Sequence, residues 1–201
     1  YTEEEKRLSH SLVNIDHSNI EVSLDTRNPT TADHFSDEID YINDIGGFVL
    51  NDMMEIAKRE RKKCIVMHMK GTPETMGSLI AYDDPVAEII MFFYERIKTM
   101  TDFGISPESI VIDPGIGFAK SAETSIEIIS KAISFNIGVP ILFGTSRKSF
   151  IKKITGTEVK ERLPETIATS LYLATKGIEI LRVHDVNENR NALLTMQQLT
   201  L

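Results

Sequence analysis

A single cysteine, Cys64, stands in 201 residues, so no disulfide can close within the chain, and no Cys/His cluster has the spacing of a zinc site. A reducing cytosol fits this usage. The sequence also lacks a basic excess. Thirty acidic against 22 basic residues give a net charge of −8 and a pI near 5.2, the reverse of the clustered Lys/Arg surplus of a protein that coats nucleic acid. A local basic pocket stays compatible with that balance. Long apolar runs are missing too: Ile89-Ile90-Met91-Phe92-Phe93-Tyr94 falls far short of the ~20 residues needed to span a bilayer. Tyr1-Thr2-Glu3-Glu4-Glu5 has neither the basic start nor the apolar stretch of a signal peptide, and no initiating methionine, as expected of a chain that begins midway. No internal repeat, low-complexity segment or Pro/Gly/Ser linker divides the sequence, which is read as one domain over residues 1–201.

What is present is ordinary globular material, 41% hydrophobic and 26% charged, which excludes disordered, collagen-like and coiled-coil chains. A chain of this length can withdraw roughly 70% of its surface from water on folding. Short β-rich runs alternate with helical patterns throughout. Ile20–Leu24, Tyr41–Asn43, Cys64–Met69, Ser109–Ile112, Pro140–Phe143 and Ile178–Val183 are continuous apolar runs rather than alternating ones, the pattern of strands buried on both faces. Between them, Leu8, Leu12 and Ile15 repeat at helical spacing, as do Val86, Ile89, Ile90, Phe93, Ile97 and Met100. Asp84-Pro85 and Asn28-Pro29 each supply an N-cap followed by proline at the first helical position. Further helices are predicted over Asn51–Arg61, Thr124–Phe135, Glu165–Lys176 and Asn187–Leu199. Regular alternation of this kind means parallel strands with right-handed crossovers, hence a doubly wound sheet or a (β/α)8 barrel.

Polar residues fall at one end of every apolar run. Asp25 ends the first, Asn43-Asp44 the second, His68 the third and Asp113 the fourth; Ser146-Arg147-Lys148-Ser149 follows the fifth, and Arg182-Val183-His184-Asp185 closes the sixth. In a parallel barrel these ends emerge on one face, where a small-molecule site is expected. Asp25, Asn43 and Asp113 suit a flat heterocycle rich in N–H groups, such as a pterin or purine. Lys148, Arg182 and His184 suit phosphate or carboxylate, so the expected pocket has an acidic half and a basic half. With Val183 between them, Arg182 and His184 point to one side of a strand and can grip one anion together. In Asp113-Pro114-Gly115-Ile116-Gly117-Phe118 the glycines let backbone approach a ligand and the ring can pack on it. Cys64 reads as a core thiol, and His10, His17 and His34 as surface residues. Glu3–Arg7 and Lys58–Lys63 read as solvated helix faces. His68, between two methionines, is compatible with either a packed or a site residue.

Ser23-Leu24-Asp25-Thr26, Ile42-Asn43-Asp44, Met67-His68-Met69-Lys70-Gly71-Thr72-Pro73, Asp113–Phe118, Ser146–Phe150 and Arg182–Asp185, in this order, resemble dihydropteroate synthase over nearly the whole chain. The resemblance implies a TIM barrel that joins 6-hydroxymethyl-7,8-dihydropterin pyrophosphate to p-aminobenzoate, giving 7,8-dihydropteroate and pyrophosphate, with Mg²⁺ as cofactor and sulfonamides as inhibitors. It implies that Asp25, Asn43 and Asp113 hold the pterin edge, that Met67 lies on its ring, and that Gly144 lets it approach. It makes Lys148 a contact of both pterin and p-aminobenzoate, and Gly117, Phe118 and Ser149 contacts of p-aminobenzoate. Arg182 and His184 become the pyrophosphate ligands, and buried carboxylates Asp25 and Asp113 would stabilise positive charge on the pterin. A homodimer is the family's usual state. Ala119 departs from a usual glycine, and Pro164-Glu165-Thr166 from a small-residue stretch.

The family's first strand with its asparagine-containing loop, and its second with a Ser-Thr-Arg-Pro-Gly loop, are not found. Tyr1–Asp16 matches the helix after the second strand, so the sequence is expected to hold the last six β/α units of eight, with exposed strand edges and no metal ligand of its own. Two alternatives stay open. One is a non-catalytic or split-chain fragment that binds pterin. The other is a methyltetrahydrofolate-binding methyltransferase domain, which would need no pyrophosphate grip at Arg182 and His184.

Overall fold

Asn28 and Asp84 start helices as their sequence context predicts. In the computed structural model, which describes residues 2–12 and 15–199, the Asn28 side chain accepts from Thr30 N at 3.1 Å. Asp84 Oδ1 accepts from Val86 N and Ala87 N at 3.1 and 3.0 Å. Each bond satisfies a donor that the first helical turn would otherwise leave unpaired. The elements in chain order are α1 (Glu3–Leu12), β1 (Ser23–Asp25), α2 (Pro29–His34), β2 (Tyr41–Asp44), α3 (Asn51–Arg59), β3 (Lys63–Met67), α4 (Pro85–Phe103) and β4 (Ile110–Asp113). They continue with α5 (Ala122–Ser130), β5 (Leu142–Phe143), α6 (Ser149–Thr155), α7 (Leu163–Thr175), β6 (Ile180–Leu181) and α8 (Val186–Leu199). Tyr1, Val13 and Asn14 of the predicted Tyr1–Asp16 segment lie outside the described residues.

The chain divides into two compact units. The first comprises Tyr1–Met67 and Glu95–Val111. Here β1, β2 and β3 pair in parallel, with Asp25 opposite Asn43 and Asn43 opposite Ile65, and the sheet order continues to β4. Ile42, Cys64, Val66, Met53 and Met100 are buried at 0% exposure, a core that removes the predicted apolar runs from water. The second unit comprises His68–Tyr94 and Ile112–Leu201. In it β5 and β6 pair in parallel, and Ile112 bridges to Ile141. Phe93, Phe135 and Phe143 form an edge-to-face ladder with centroids 6.5 and 6.3 Å apart, within the range where aromatic pairs attract beyond their area.

All six predicted strands are present in order, and the changed bounds of three have a local reason. The first begins at Ser23 because Asp16 accepts from Ser18 N and caps a 3-10 turn over His17–Asn19. The fourth begins after Ser109, which closes a 3-10 turn entered through Pro107. The sixth keeps only Ile180–Leu181, since Ile178 N still bonds Leu173 O at the end of α7 and Gly177 turns the chain at φ +79°. The helix predicted over Thr124–Phe135 is α5 followed by a separate 3-10 turn over Ala132–Phe135. One helix was not predicted: α6, whose seven residues close on Gly156 at φ +78°.

Candidate functional site

In the first unit, β1 ends on Asp25 and β2 on Asn43-Asp44, while β3 ends on Met67. Asn43, the next-to-last residue of β2, is 2% exposed, and its Oδ1 has no hydrogen-bond partner among the described residues. A buried acceptor left unpaired is costly unless a donor reaches it. Asp44 beside it is spent locally, accepting from Gly46 N at 2.7 Å and Phe48 N at 2.8 Å, and so holds Phe48 at φ +55°. Burial pushes the Asp44 carboxyl above its usual range against those two bonds. Met67 is fully buried. Asp25 is exposed, which corrects the expectation of a buried carboxylate there: β1 alternates exposed, buried, exposed, and the inward position belongs to Leu24.

The second unit holds the denser cluster. Asp113 is 0% exposed; its Oδ1 accepts from Gly115 N at 2.8 Å and its Oδ2 from Arg182 Nη2 at 2.9 Å. The expected division into acidic and basic halves is therefore overturned: the fully buried Asp113 carboxylate is compensated by the Arg182 guanidinium bonded to it. Gly144 makes the room, since a Cβ there would lie 2.8 Å from Arg182 Nη2. Gly117, at φ +81°, plays the same part for Lys148, whose Cδ would meet a Cβ at 3.4 Å. Lys148 Nζ lies 4.3 Å from the centroid of Phe118, a cation–π distance. Ser149 opens α6 and is exposed.

Arg182 and His184 hold separate partners. Arg182 bonds Asp113, and His184 Nδ1 lies 2.8 Å from Ser146 Oγ. The strand alternation invoked to align them stops at Leu181, so their relation rests on these contacts instead. Arg182 Nη1 is buried with no partner among the described residues, a cationic donor available to an anion.

Two buried cations escaped the sequence reading. Lys120, 6% exposed, donates to Phe118 O at 2.9 Å and His68 O at 3.2 Å, and lies 3.0 Å from His68 Nδ1. Burial lowers its pKa to about 7, with the Asp113 charge working in the opposite direction. Burial, then the Lys120 charge, lowers His68 to about 2, so the ring is neutral and packs edge-on to Phe92 at 4.9 Å. His68 is thus a packed residue that accepts from Lys120. Arg162, 4% exposed, donates to the carbonyls of Thr157, Arg147 and Lys148. Nothing in a single sequence marks these two cations as buried; the only signal was their nearness to motif residues. Cys64 is a core thiol, pushed up to about 12 by burial, and His10 and His34 are exposed as predicted.

Among the described residues, no three His, Cys, Asp or Glu side chains converge to hold a metal ion.

The family model described as pterin binding enzyme matches residues 1–184. The dihydropteroate synthase of Synechocystis sp. is 37% identical over 171 residues, 83% of this chain and 59% of that protein. This chain therefore spans less than two thirds of that relative's length. The crystal structure of dihydropteroate synthase from Thermus thermophilus in complex with 4-aminobenzoate aligns with a TM-score of 0.93 at 32% identity, covering 99% of this chain and 78% of that one. The Anaplasma phagocytophilum dihydropteroate synthase structure with bound 6-hydroxymethylpterin-monophosphate gives 0.91 at 34%, covering 99% and 82%. The α/β fold is the one these structures share.

Proposed function

The chain belongs to the pterin-binding enzymes, and from that premise we propose that it carries the condensing site of a dihydropteroate synthase. The observation that carries the reading is the arrangement around Asp113: a fully buried carboxylate bonded to Arg182, in the unit where Lys148 lies over Phe118. The substrates proposed are a 6-hydroxymethyl-7,8-dihydropterin pyrophosphate and p-aminobenzoate. When the pterin C–O bond breaks, its electron pair leaves with pyrophosphate and positive charge spreads into the ring. Asp113 stabilises that charge, held in place by Gly115 N and Arg182. Arg182 and His184 receive the pyrophosphate, for which the unpartnered Arg182 Nη1 is a ready donor. The amine of p-aminobenzoate forms the new C–N bond, and its proton passes to solvent or pyrophosphate.

That amine is a weak base and chiefly needs orientation, which Phe118, Gly117, Ser149 and Lys148 would supply. No protein nucleophile takes part. The resemblance carries the pterin-contact reading to Asp25, Asn43, Met67 and Gly144, and the unpaired Asn43 Oδ1 supports it for Asn43. Any Mg²⁺ would arrive with the pyrophosphate as part of the substrate, and no step here passes through it.

We read residues 1–201 as one pterin-binding domain made of the last six β/α units of a (β/α)8 barrel. A cytoplasmic location belongs to the same proposal; no helix among the described residues is long and apolar enough to cross a membrane. Pairing of two copies is what the resemblance implies. Sulfonamides are the expected inhibitors, as competitors of p-aminobenzoate. The test is turnover of the two substrates by the full-length protein. Asp113→Asn and Lys148→Ala should each lower kcat/KM at least 100-fold while keeping the fold; near-normal turnover in either would overturn the assignment.

A further inference from the structure

Arg147 stands at φ +58°, a left-handed backbone that L side chains other than glycine rarely adopt, immediately before Lys148. Something must hold it there, and the surrounding bonds identify what does. Arg147 N donates to Thr166 Oγ1 at 3.2 Å, and its guanidinium grips Asp185 at 2.7 and 3.3 Å. The carbonyls on either side of the Arg147–Lys148 link converge on one group: Arg162 Nη1 donates to Arg147 O at 2.9 Å and to Lys148 O at 3.1 Å. The Nε of the same guanidinium donates to Thr157 O at 2.9 Å, which fixes the plane of the fork.

A guanidinium at 4% exposure whose donors go to carbonyl oxygens is an unusual use of a charge, since buried arginines ordinarily face carboxylates. Here these hydrogen bonds all fix backbone, while its charge also helps to lower the carboxyls of Glu158 and Glu165. The residue it fixes is the one whose ammonium lies over Phe118.

We propose that Arg162 is a positioning residue for Lys148: its fork locks the strained Arg147–Lys148 link and so aims the Lys148 ammonium at the Phe118 ring. The importance of Lys148 rests on the synthase reading; the clamp itself is geometric. A lysine at position 162 keeps the charge but has one side-chain nitrogen, so it cannot serve the Arg147 and Lys148 carbonyls from one donor group and Thr157 O from another held in the same plane.

The test uses the full-length protein labelled with ¹³C at the lysine ε-carbons, with the Lys148 signal assigned from its loss in Lys148→Arg. Ring current from Phe118 should place the Lys148 ε-protons upfield of the other lysines, and Phe118→Leu should abolish that shift. In Arg162→Lys the signal should move back toward the bulk lysines, and Thr166→Val, which removes the acceptor of Arg147 N, should move it part of the way. In turnover, Arg162→Lys should raise KM for p-aminobenzoate at least 10-fold, with a smaller change in kcat. An unmoved Lys148 signal in folded Arg162→Lys overturns the proposal. So does loss of the dispersed spectrum in that variant, because Arg162 would then hold the fold and not the lysine. The spectroscopic result needs no turnover, so a wild-type protein that makes no dihydropteroate sinks the synthase reading and leaves the clamp standing.

Discussion

Lys120 should make this protein more stable as pH rises from neutrality, the reverse of what an exposed lysine does. Burial, assisted by the Lys70 and Lys148 charges and opposed by Asp113, lowers its pKa from 10.5 to about 7. Between those values the unfolded chain keeps a proton that the folded chain has released, so unfolding takes up a proton and stability increases with pH. Below pH 7 the folded protein carries the whole cost of the buried charge, roughly 5 kcal/mol for a fall of this size. From pH 6 to pH 9 the relief should amount to roughly 2 to 3 kcal/mol. His68, near 2, stays neutral in the folded protein, while in the unfolded chain it loses its proton around pH 6.5 and so adds stability in the same sense, a contribution common to wild type and a variant at position 120. Tyr82 and Cys64, both pushed up to about 12, act in the opposite sense at higher pH, where the unfolded chain loses their protons first. Lys120→Met removes the titration while filling the volume, so the stability difference between wild type and variant isolates it. Urea unfolding followed by circular dichroism at constant ionic strength should show the wild type gaining those roughly 2 to 3 kcal/mol on the variant between pH 6 and pH 9. Parallel curves across that range would refute the reasoning.

Substitutions at four single positions have further expected outcomes. Gly144→Ala puts a Cβ 2.8 Å from Arg182 Nη2, and because the clash is with the end of a flexible side chain, urea stability should change by less than about 1 kcal/mol. Turnover should nonetheless fall at least 10-fold as Arg182 leaves Asp113, and unchanged kinetics would contradict the pairing. Asp44→Ala strips the acceptors from Gly46 N and Phe48 N and should cost about 2–4 kcal/mol in urea unfolding, with Asp44→Asn costing less. Ala119→Gly trades a buried methyl for relief of a left-handed backbone at φ +48°, so its stability should stay within about 0.5 kcal/mol of wild type. The equally buried Ala132→Gly has no such relief and should lose about 1–2 kcal/mol.

Local chemistry was legible wherever it could be decided by neighbours in sequence. Asn28-Pro29 and Asp84-Pro85 began helices as predicted because capping involves only residues two or three apart. The strand order and the polar residues at or just after the strand ends were readable because strands buried on both faces must be apolar until they reach the surface. Lengths were less legible: whether Ile178 belonged to α7 or β6 depended on a bond to Leu173 that competes with strand pairing. Burial of individual charges was not legible at all. Asp25 and Asp113 end their strands alike, yet one is exposed and the other fully buried, since packing from distant segments decides between them. The burial of Lys120 and Arg162 is decided in the same way, by distant packing, although each closes on a motif residue: Lys120 on Phe118 and Arg162 on Lys148. The expected joint grip by Arg182 and His184 assumed a strand that ends too early to impose it.

The most direct test of the central claim is to incubate the full-length protein with 6-hydroxymethyl-7,8-dihydropterin pyrophosphate and p-aminobenzoate, identifying the products by mass and measuring released pyrophosphate. The account predicts 7,8-dihydropteroate and pyrophosphate in equal amounts, with both abolished in Asp113→Asn. Pyrophosphate release that does not depend on p-aminobenzoate, or equal product from the variant, would contradict it.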